Sequence, residues 1–139
     1  MNSIFDNIKT IAIVGLSDKP DRPSYEVGKY LQSQGFEIIP INPNISEWEG
    51  LTSYKDLSSV PSNIMIDVVD IFRRSDEVMG IVEEAVLRSD AHTIWMQEGV
   101  SEEEAKEYAE NNGLTVVMDF CLMKAHKREA PKDTEEQKE

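Results

Sequence analysis

The fold is decided by residues 11–31, IAIVGLSDKPDRPSYEVGKYL, in which an aliphatic run meets a glycine and then a polar loop. The run is too continuously apolar for a half-exposed strand and is typical of a central parallel strand, which we expect over residues 9–15. Pro23 suits the first turn of a helix, and Gln34-Gly35 suits its end. A strand, a polar loop and a helix N-terminus in this order are how α/β proteins build a pocket for phosphate.

The rest of the chain repeats the alternation of strands and helices. Helices are expected from a cap at Ser75, and from a capping box formed by Ser101 and Glu104. Residues 46–63 predict short irregular turns, with one helical turn near residues 56–59. Further strands are expected at residues 36–41, 64–72, 93–96 and 114–118. This order predicts an α/β fold with a doubly wound, mostly parallel five-stranded sheet and helices on both faces.

Composition bounds the class of protein. The chain has 139 residues, 40% of them hydrophobic and 29% charged, which suits one globular domain over residues 1–128 followed by a disordered acidic tail over residues 129–139. No apolar run approaches the ~18 residues of a membrane span, and the N-terminus lacks the charge pattern of a signal peptide. The single cysteine, Cys121, suits a reducing compartment. We therefore expect a cytoplasmic protein.

The net charge limits the partners. The chain carries 14 basic and 27 acidic residues, a formal charge of −13, which disfavours nucleic acid and anionic membranes. An anionic ligand must then be held by a local cluster of donors. We expect Lys19, Arg22, Arg73 and Arg74 to gather at one rim of the sheet.

Ligands of parallel sheets bind beyond the carboxyl ends of the strands, which here correspond to the loops at residues 15–25, 42–44, 72–75 and 97–100. In the first loop, the glycine lets backbone amides approach a ligand closely. The serines after it can donate hydrogen bonds, and the basic residues add positive charge. A phosphate site and a solvated turn with a helix cap both fit this loop. The segment Phe72-Arg73-Arg74 suits stacking on a base and gripping phosphate, or a strand end whose arginines pair with Asp70 or Asp76.

Two positions argue against a nicotinamide dinucleotide. The glycines of the classical fingerprint are replaced by Ser17 and Pro20, and Asn42 stands where an acid would bind the ribose.

Four motifs carry a resemblance: the stretch from Ile11 to Asn44, "VDIFRR", "WMQEGV" and "VVMDFCLMKAH". Together they resemble the small stand-alone CoA-binding domain proteins, whose Rossmann-like fold is similar to the N-terminal CoA-binding domain of the succinyl-CoA ligase α subunit. The resemblance covers residues 8–127. It implies CoA or acyl-CoA over the strand ends, with pyrophosphate near the first loop and pantetheine along residues 97–100. The implied contact residues are Gly15, Leu16, Ser17, Lys19, Arg22, Ser24, Tyr25, Asn42, Pro43, Phe72, Arg73, Arg74, Gln97 and Glu98.

No catalytic or metal-binding set stands out in the sequence. His92, His126 and Cys121 are best explained by packing or surface roles, and Phe120 replaces the arginine that usually follows the aspartate of the last family motif. We expect a non-catalytic CoA sensor, carrier or subunit, with a protein partner or homodimer possible. The alternatives are an NAD(P)-dependent oxidoreductase and a protein-interaction module with a vestigial nucleotide cleft.

Overall fold

The computed structural model describes residues 4–129, and their centre is a five-stranded sheet in which all neighbours run parallel. The order β2-β1-β5-β6-β7 puts the first strand inside the sheet. The predicted fold class is therefore confirmed. The strands of the described chain are β1 (Thr10–Val14), β2 (Glu37–Ile41), β3 (Glu47–Trp48), β4 (Leu51–Thr52), β5 (Val68–Ile71), β6 (Thr93–Met96) and β7 (Thr115–Val117).

Helices cover both faces of the sheet. They are α1 (Pro23–Ser33), α2 (Val78–Arg88), α3 (Glu103–Asn111) and α4 (122–129). Val27 of α1 and Leu122 of α4 pack with Ile13 and Trp95 on one face. On the other face, α2 and α3 pack against the opposite side chains of the same strands. Alternation along each buried strand supplies both cores.

A small hairpin replaces part of the irregular segment expected at residues 46–63. Strands β3 and β4 pair antiparallel, and Trp48 of β3 is buried. The expected helical turn is confirmed as a 3₁₀ turn, Leu57–Ser59, in which the Asp56 carboxylate accepts the Ser59 N–H at 2.9 Å.

The third strand of the sheet is shorter than the expected 64–72. Its first residues are diverted, because the Ile64 carbonyl accepts from Arg88 and the Ile66 N–H donates to Asp90. Asp67 then accepts the backbone N–H groups of Lys9 and Thr10, at 2.8 and 3.0 Å. The strand itself is Val68–Ile71, and Asp67 still pairs through its backbone with Thr10 and His92, so the apolar run predicted a strand that is too long mainly at its start.

Both predicted helix caps are wrong. Ser75 opens a 3₁₀ turn, Ser75–Glu77, ahead of α2, and its hydroxyl accepts the Ser101 N–H instead of capping its own turn. The cap of α3 is Glu102, whose carboxylate accepts the Ala105 N–H at 2.7 Å. The Ser75 hydroxyl is therefore used in a tertiary contact, and the neighbouring acid Glu102 caps α3 in place of Ser101.

None of the helices within residues 4–129 is both long and apolar enough to cross a bilayer. The tail expected over residues 129–139 lies outside the described residues, except for residue 129, which belongs to α4.

Candidate functional site

The parallel arrangement brings the loops after β1, β2, β5 and β6 to the carboxyl edge of the sheet, where two clefts adjoin. The narrow cleft has a volume of about 140 Å³ and the wide cleft, which is more open, about 500 Å³. The narrow cleft is lined by Val14, Gly15, Ile41, Pro43, Lys55, Asp56, Leu57, Arg73, Glu77, Ile81 and Glu84. The wide cleft is lined by Phe72, Arg73, Arg74, Glu77, Gln97, Glu98 and Val100.

At Gly15 the loop after β1 approaches the loop after β5 closely. Its φ of +90° lies in the left-handed region, and a Cβ there would stand 2.3 Å from the Phe72 carbonyl oxygen and 3.0 Å from Arg73 Cδ. A side chain is therefore excluded on both conformational and steric grounds. Arg73 lies across Gly15 and lines both clefts.

Polar side chains brace the loop after β1. Asn42 Nδ2 donates to the Leu16 carbonyl at 2.9 Å, and Trp48 Nε1 donates to the Ser17 carbonyl at 3.1 Å. The Ser17 N–H donates to Ser24 Oγ at 2.9 Å. Asn42 and Ser24, both expected to touch a ligand, thus also shape the loop itself.

The start of α1 keeps its positive end open. Arg22 occupies the N-cap position without a side-chain cap, and Pro23 follows it. The N–H groups of a helix's first turn need partners from outside the helix, and they favour anions. This end of α1 remains a candidate for phosphate, as the sequence predicts.

Arg73 and Arg74 are both paired with acids of their own turn. Arg73 directs Nε and Nη2 at Glu77 Oε1, at 2.8 and 2.6 Å. Arg74 Nε lies 3.2 Å from Asp76 Oδ1 and 3.3 Å from Glu77 Oε2. Asp70, the other partner considered for these arginines, is buried, and its carboxylate has no hydrogen bond among the described residues.

The loop after β6 is tied to the last helix. Gln97 Oε1 accepts the Leu122 N–H at 2.9 Å, and Asp119 Oδ1 accepts the Gly99 N–H at 2.7 Å. Glu98 forms a surface ion pair with Lys124 at 3.0 Å. The last family motif therefore supports the wall of the wide cleft.

The predicted site residues are only partly brought together. Lys19 and Arg22 are exposed on the loop after β1 and line neither cleft. The Tyr25 hydroxyl donates to Glu49 at 2.7 Å, which turns this side chain toward the β3–β4 hairpin. Of the four cations expected at one rim, Arg73 and Arg74 line the clefts, and the ligand contacts of all these residues stay predictions.

Sequence reasoning missed the side chains that α2 and the preceding turn contribute to the narrow cleft. Glu77, Ile81 and Glu84 lie along one side of α2 and its preceding turn, and all three line the narrow cleft. The sequence did offer a signal for the contact between Arg73 and Glu77, because the two residues are four positions apart, the spacing at which helical side chains meet.

The candidate catalytic side chains lie away from both clefts. Cys121 is buried, and the imidazole of His126 shares a 2.6 Å hydrogen bond with the Tyr30 hydroxyl. Burial lowers the pKa of His126. His92 precedes β6 and so lies at the amino edge of the sheet, opposite the clefts.

The parallel sheet with helices on both faces and a glycine turn after the first strand defines a Rossmann-like α/β domain. Within this class the chain belongs to the CoA-binding domain family, whose model matches residues 9–127. The resemblance inferred from the four motifs is confirmed.

Individual relatives agree with this assignment. The chain is 43% identical over 126 residues to the uncharacterised protein YneT of Bacillus subtilis, with 91% of each chain covered. A hypothetical protein from Pyrococcus horikoshii has the same fold, with a TM-score of 0.85 and 35% identity over 90% of this chain and 86% of that one. The α subunit of an ADP-forming acetate–CoA ligase II of Pyrococcus furiosus is 31% identical over 70 residues, which are 50% of this chain and 15% of the ligase subunit.

Proposed function

We propose that the protein binds CoA or an acyl-CoA along the carboxyl edge of the sheet, as a sensor, carrier or subunit and without catalysing a reaction. The observation that carries the proposal is Arg73, which lies across Gly15 between two adjoining clefts in a chain of the CoA-binding domain family. The kinship with the α subunit of a CoA ligase supports it.

The proposed ligand follows the four loops. The pyrophosphate lies near Gly15 and the open first turn of α1, where backbone N–H groups and the helix dipole favour anions. Adenosine and its phosphates lie beside Pro43, Phe72 and Arg73. The pantetheine arm runs along the loop that begins at Gln97, in the wide cleft. CoA combines a planar base, phosphates and a long flexible arm, which suits a narrow cleft joined to a wide one.

The non-catalytic role rests on where the reactive side chains lie. Cys121 and His126 are enclosed in the core, and His92 stands at the opposite edge of the sheet. None of these three side chains lines the narrow or the wide cleft. The proposal therefore assigns recognition of the thioester carrier to this domain and no bond-breaking step.

Calorimetric titration with CoA and acetyl-CoA tests the proposal, with NADH as the competing dinucleotide. We expect saturable binding of CoA that NADH does not displace. Arg73→Ala should weaken CoA binding by about 1–3 kcal/mol, because a charge-assisted hydrogen bond to phosphate is lost.

Lys9→Ala is the matched control, since it removes the same charge from an exposed residue that precedes β1 at the amino edge. Its affinity for CoA should equal that of the wild type. The absence of both binding heat and a thermal shift at millimolar CoA would refute the proposal. Equal affinities of Arg73→Ala and Lys9→Ala would refute the place given to Arg73.

A further inference from the structure

The two arginines of the clefts are held by acids rather than left open for a ligand. Arg73 applies two donors, Nε and Nη2, to one oxygen of Glu77, and Arg74 Nε lies 3.3 Å from the other oxygen. Glu77 therefore bridges both guanidinium groups. The Arg73 and Glu77 side chains are about equally half-buried, 35% and 32% exposed, whereas Arg74 is 77% exposed. The Arg73–Glu77 pair is thus the better shielded of the two contacts.

Glu77 occupies the position that a phosphate would need. Its side chain and that of Arg73 both line the narrow and the wide cleft. The edge of a guanidinium that carries Nε and one Nη is a fork that suits carboxylate and phosphate alike. A phosphate approaching Arg73 would find this edge engaged and a carboxylate beside it. It must either displace Glu77 or accept the repulsion of a like charge at close range.

Local structure keeps this arrangement in place. Glu77 ends the 3₁₀ turn Ser75–Glu77 and stands in the N-cap position of α2, where its side chain forms no capping hydrogen bond. The carboxylate is thus not required to cap the helix, and within residues 4–129 its polar contacts are those to the two arginines. The turn places an acid four residues after Arg73, the spacing at which helical side chains meet.

We infer that Glu77 is a built-in competitor for Arg73, which holds the guanidinium over Gly15 in the free protein and is displaced by the ligand's phosphate. This inference rests on the proposed function, since it assigns Glu77 a role in how the same site takes up CoA. Binding then exchanges one ion pair for another, instead of creating a new one.

The exchange has a measurable signature in salt dependence. Where a free cation captures a phosphate, the affinity falls with rising salt as the new charge pair is screened. Where a phosphate only replaces a carboxylate, the charge pairing before and after is similar and the salt dependence is shallow. Removing the charge of Glu77 should therefore raise the affinity and steepen the salt dependence together.

The test compares Glu77→Gln with Glu83→Gln by calorimetric titration with CoA at low and high NaCl. Glu83 is an exposed acid of α2 that lines neither cleft, so its variant makes the same change of net charge on the same helix. Far-ultraviolet circular dichroism of each variant confirms the fold. We expect Glu77→Gln to bind CoA about 3- to 10-fold more tightly than Glu83→Gln at low salt, with a steeper loss of affinity at high salt.

The outcomes separate this inference from the proposed function. If the wild type and Glu83→Gln bind CoA and Glu77→Gln binds no more tightly than Glu83→Gln, the competition is refuted and the proposed function stands. A gain in affinity that comes with an unchanged salt dependence also refutes the exchange of ion pairs. If CoA binds to none of the three proteins, both proposals are refuted.

Discussion

At the scale of single residues, Asp70 is the unusual feature of the core. It lies on β5 in register with Ile13 of β1 and Trp95 of β6, fully buried in the centre of the sheet. Neither carboxylate oxygen has a hydrogen-bond partner among the described residues. Burial raises the pKa of Asp70 well above its ordinary value, because the charged form is desolvated there without compensation.

The sign of the pH effect follows from this direction. Between the ordinary pKa and the raised one, the folded state holds a proton that the unfolded state releases, so stability falls as pH rises through this window. Asp70→Asn has the same shape and no charge to lose. We expect its free energy of unfolding to exceed that of the wild type by an amount that grows by up to about 1.4 kcal/mol per pH unit above about pH 4.

Urea denaturation from about pH 5 to about pH 8 measures this difference. Asp21→Asn, a change at an exposed position, serves as the control and should show no comparable trend. A constant difference between Asp70→Asn and the wild type across the range would contradict the raised pKa.

At the scale of elements, Arg88 joins α2 to the segment that leads into β5. Its guanidinium donates to the carbonyls of Val60 at 2.7 Å and Ile64 at 2.8 Å, and to Asp90 at 3.0 Å. The Arg88 and Asp90 side chains are 10% and 8% exposed. Burial alone would raise the pKa of Asp90, but the bonds from Arg88 and the Ile66 N–H hold it below its ordinary value. These contacts give the backbone of Ile64 and Ile66, which precede the strand, partners outside the sheet.

Arg88→Met should lower the free energy of unfolding by about 3–5 kcal/mol, because it leaves Asp90 and backbone carbonyls buried without their donor. Lys124→Met removes a surface ion pair whose side chains are 57% and 54% exposed, and it should lower the free energy of unfolding far less than Arg88→Met does, because solvent screens the pair. Chemical denaturation of both variants gives the comparison. Similar losses for the two would contradict the structural role of Arg88.

At the scale of the whole molecule, repulsion between negative charges opposes folding. The formal charge is −13, and several cations are engaged in ion pairs with acids, including Lys29 with Glu49 and Arg73 with Glu77. The face of α3 adds a further row of acids that includes Glu103 and Glu107. Self-repulsion of this kind opposes the compact state and is screened by salt.

Raising NaCl from about 20 mM to about 300 mM should therefore stabilise the protein, with a gain of roughly 1 kcal/mol or about 3–6 °C in Tm. Scanning calorimetry measures the change. The variant Glu103→Gln/Glu107→Gln, which carries less negative charge, should gain less from the same salt. A wild-type Tm that falls or stays constant would contradict the view that repulsion limits stability.

The sequence determined the fold class, the parallel strands and the edge of the sheet at which the four loops gather. Continuous apolar runs such as residues 11–14 require burial on both faces, and parallel connectivity then sends every strand's carboxyl end to one edge. The role of the glycine after β1 was also predictable from the sequence, because only glycine tolerates the turn that Gly15 makes. The family was readable because its motifs follow each other in order along the chain.

Tertiary structure alone decided how the polar side chains are used. Asn42 and Ser24 look like ligand donors in sequence, yet each bonds to the loop after β1. Ser75 looks like a helix cap, yet its hydroxyl meets Ser101 from a distant loop. The engagement of Arg73 by Glu77 and the isolation of Asp70 likewise depend on what lies nearby in space. A hydrogen-bonding group takes whichever partner the folded chain brings within about 3 Å, and hydrophobic periodicity carries no information about that choice.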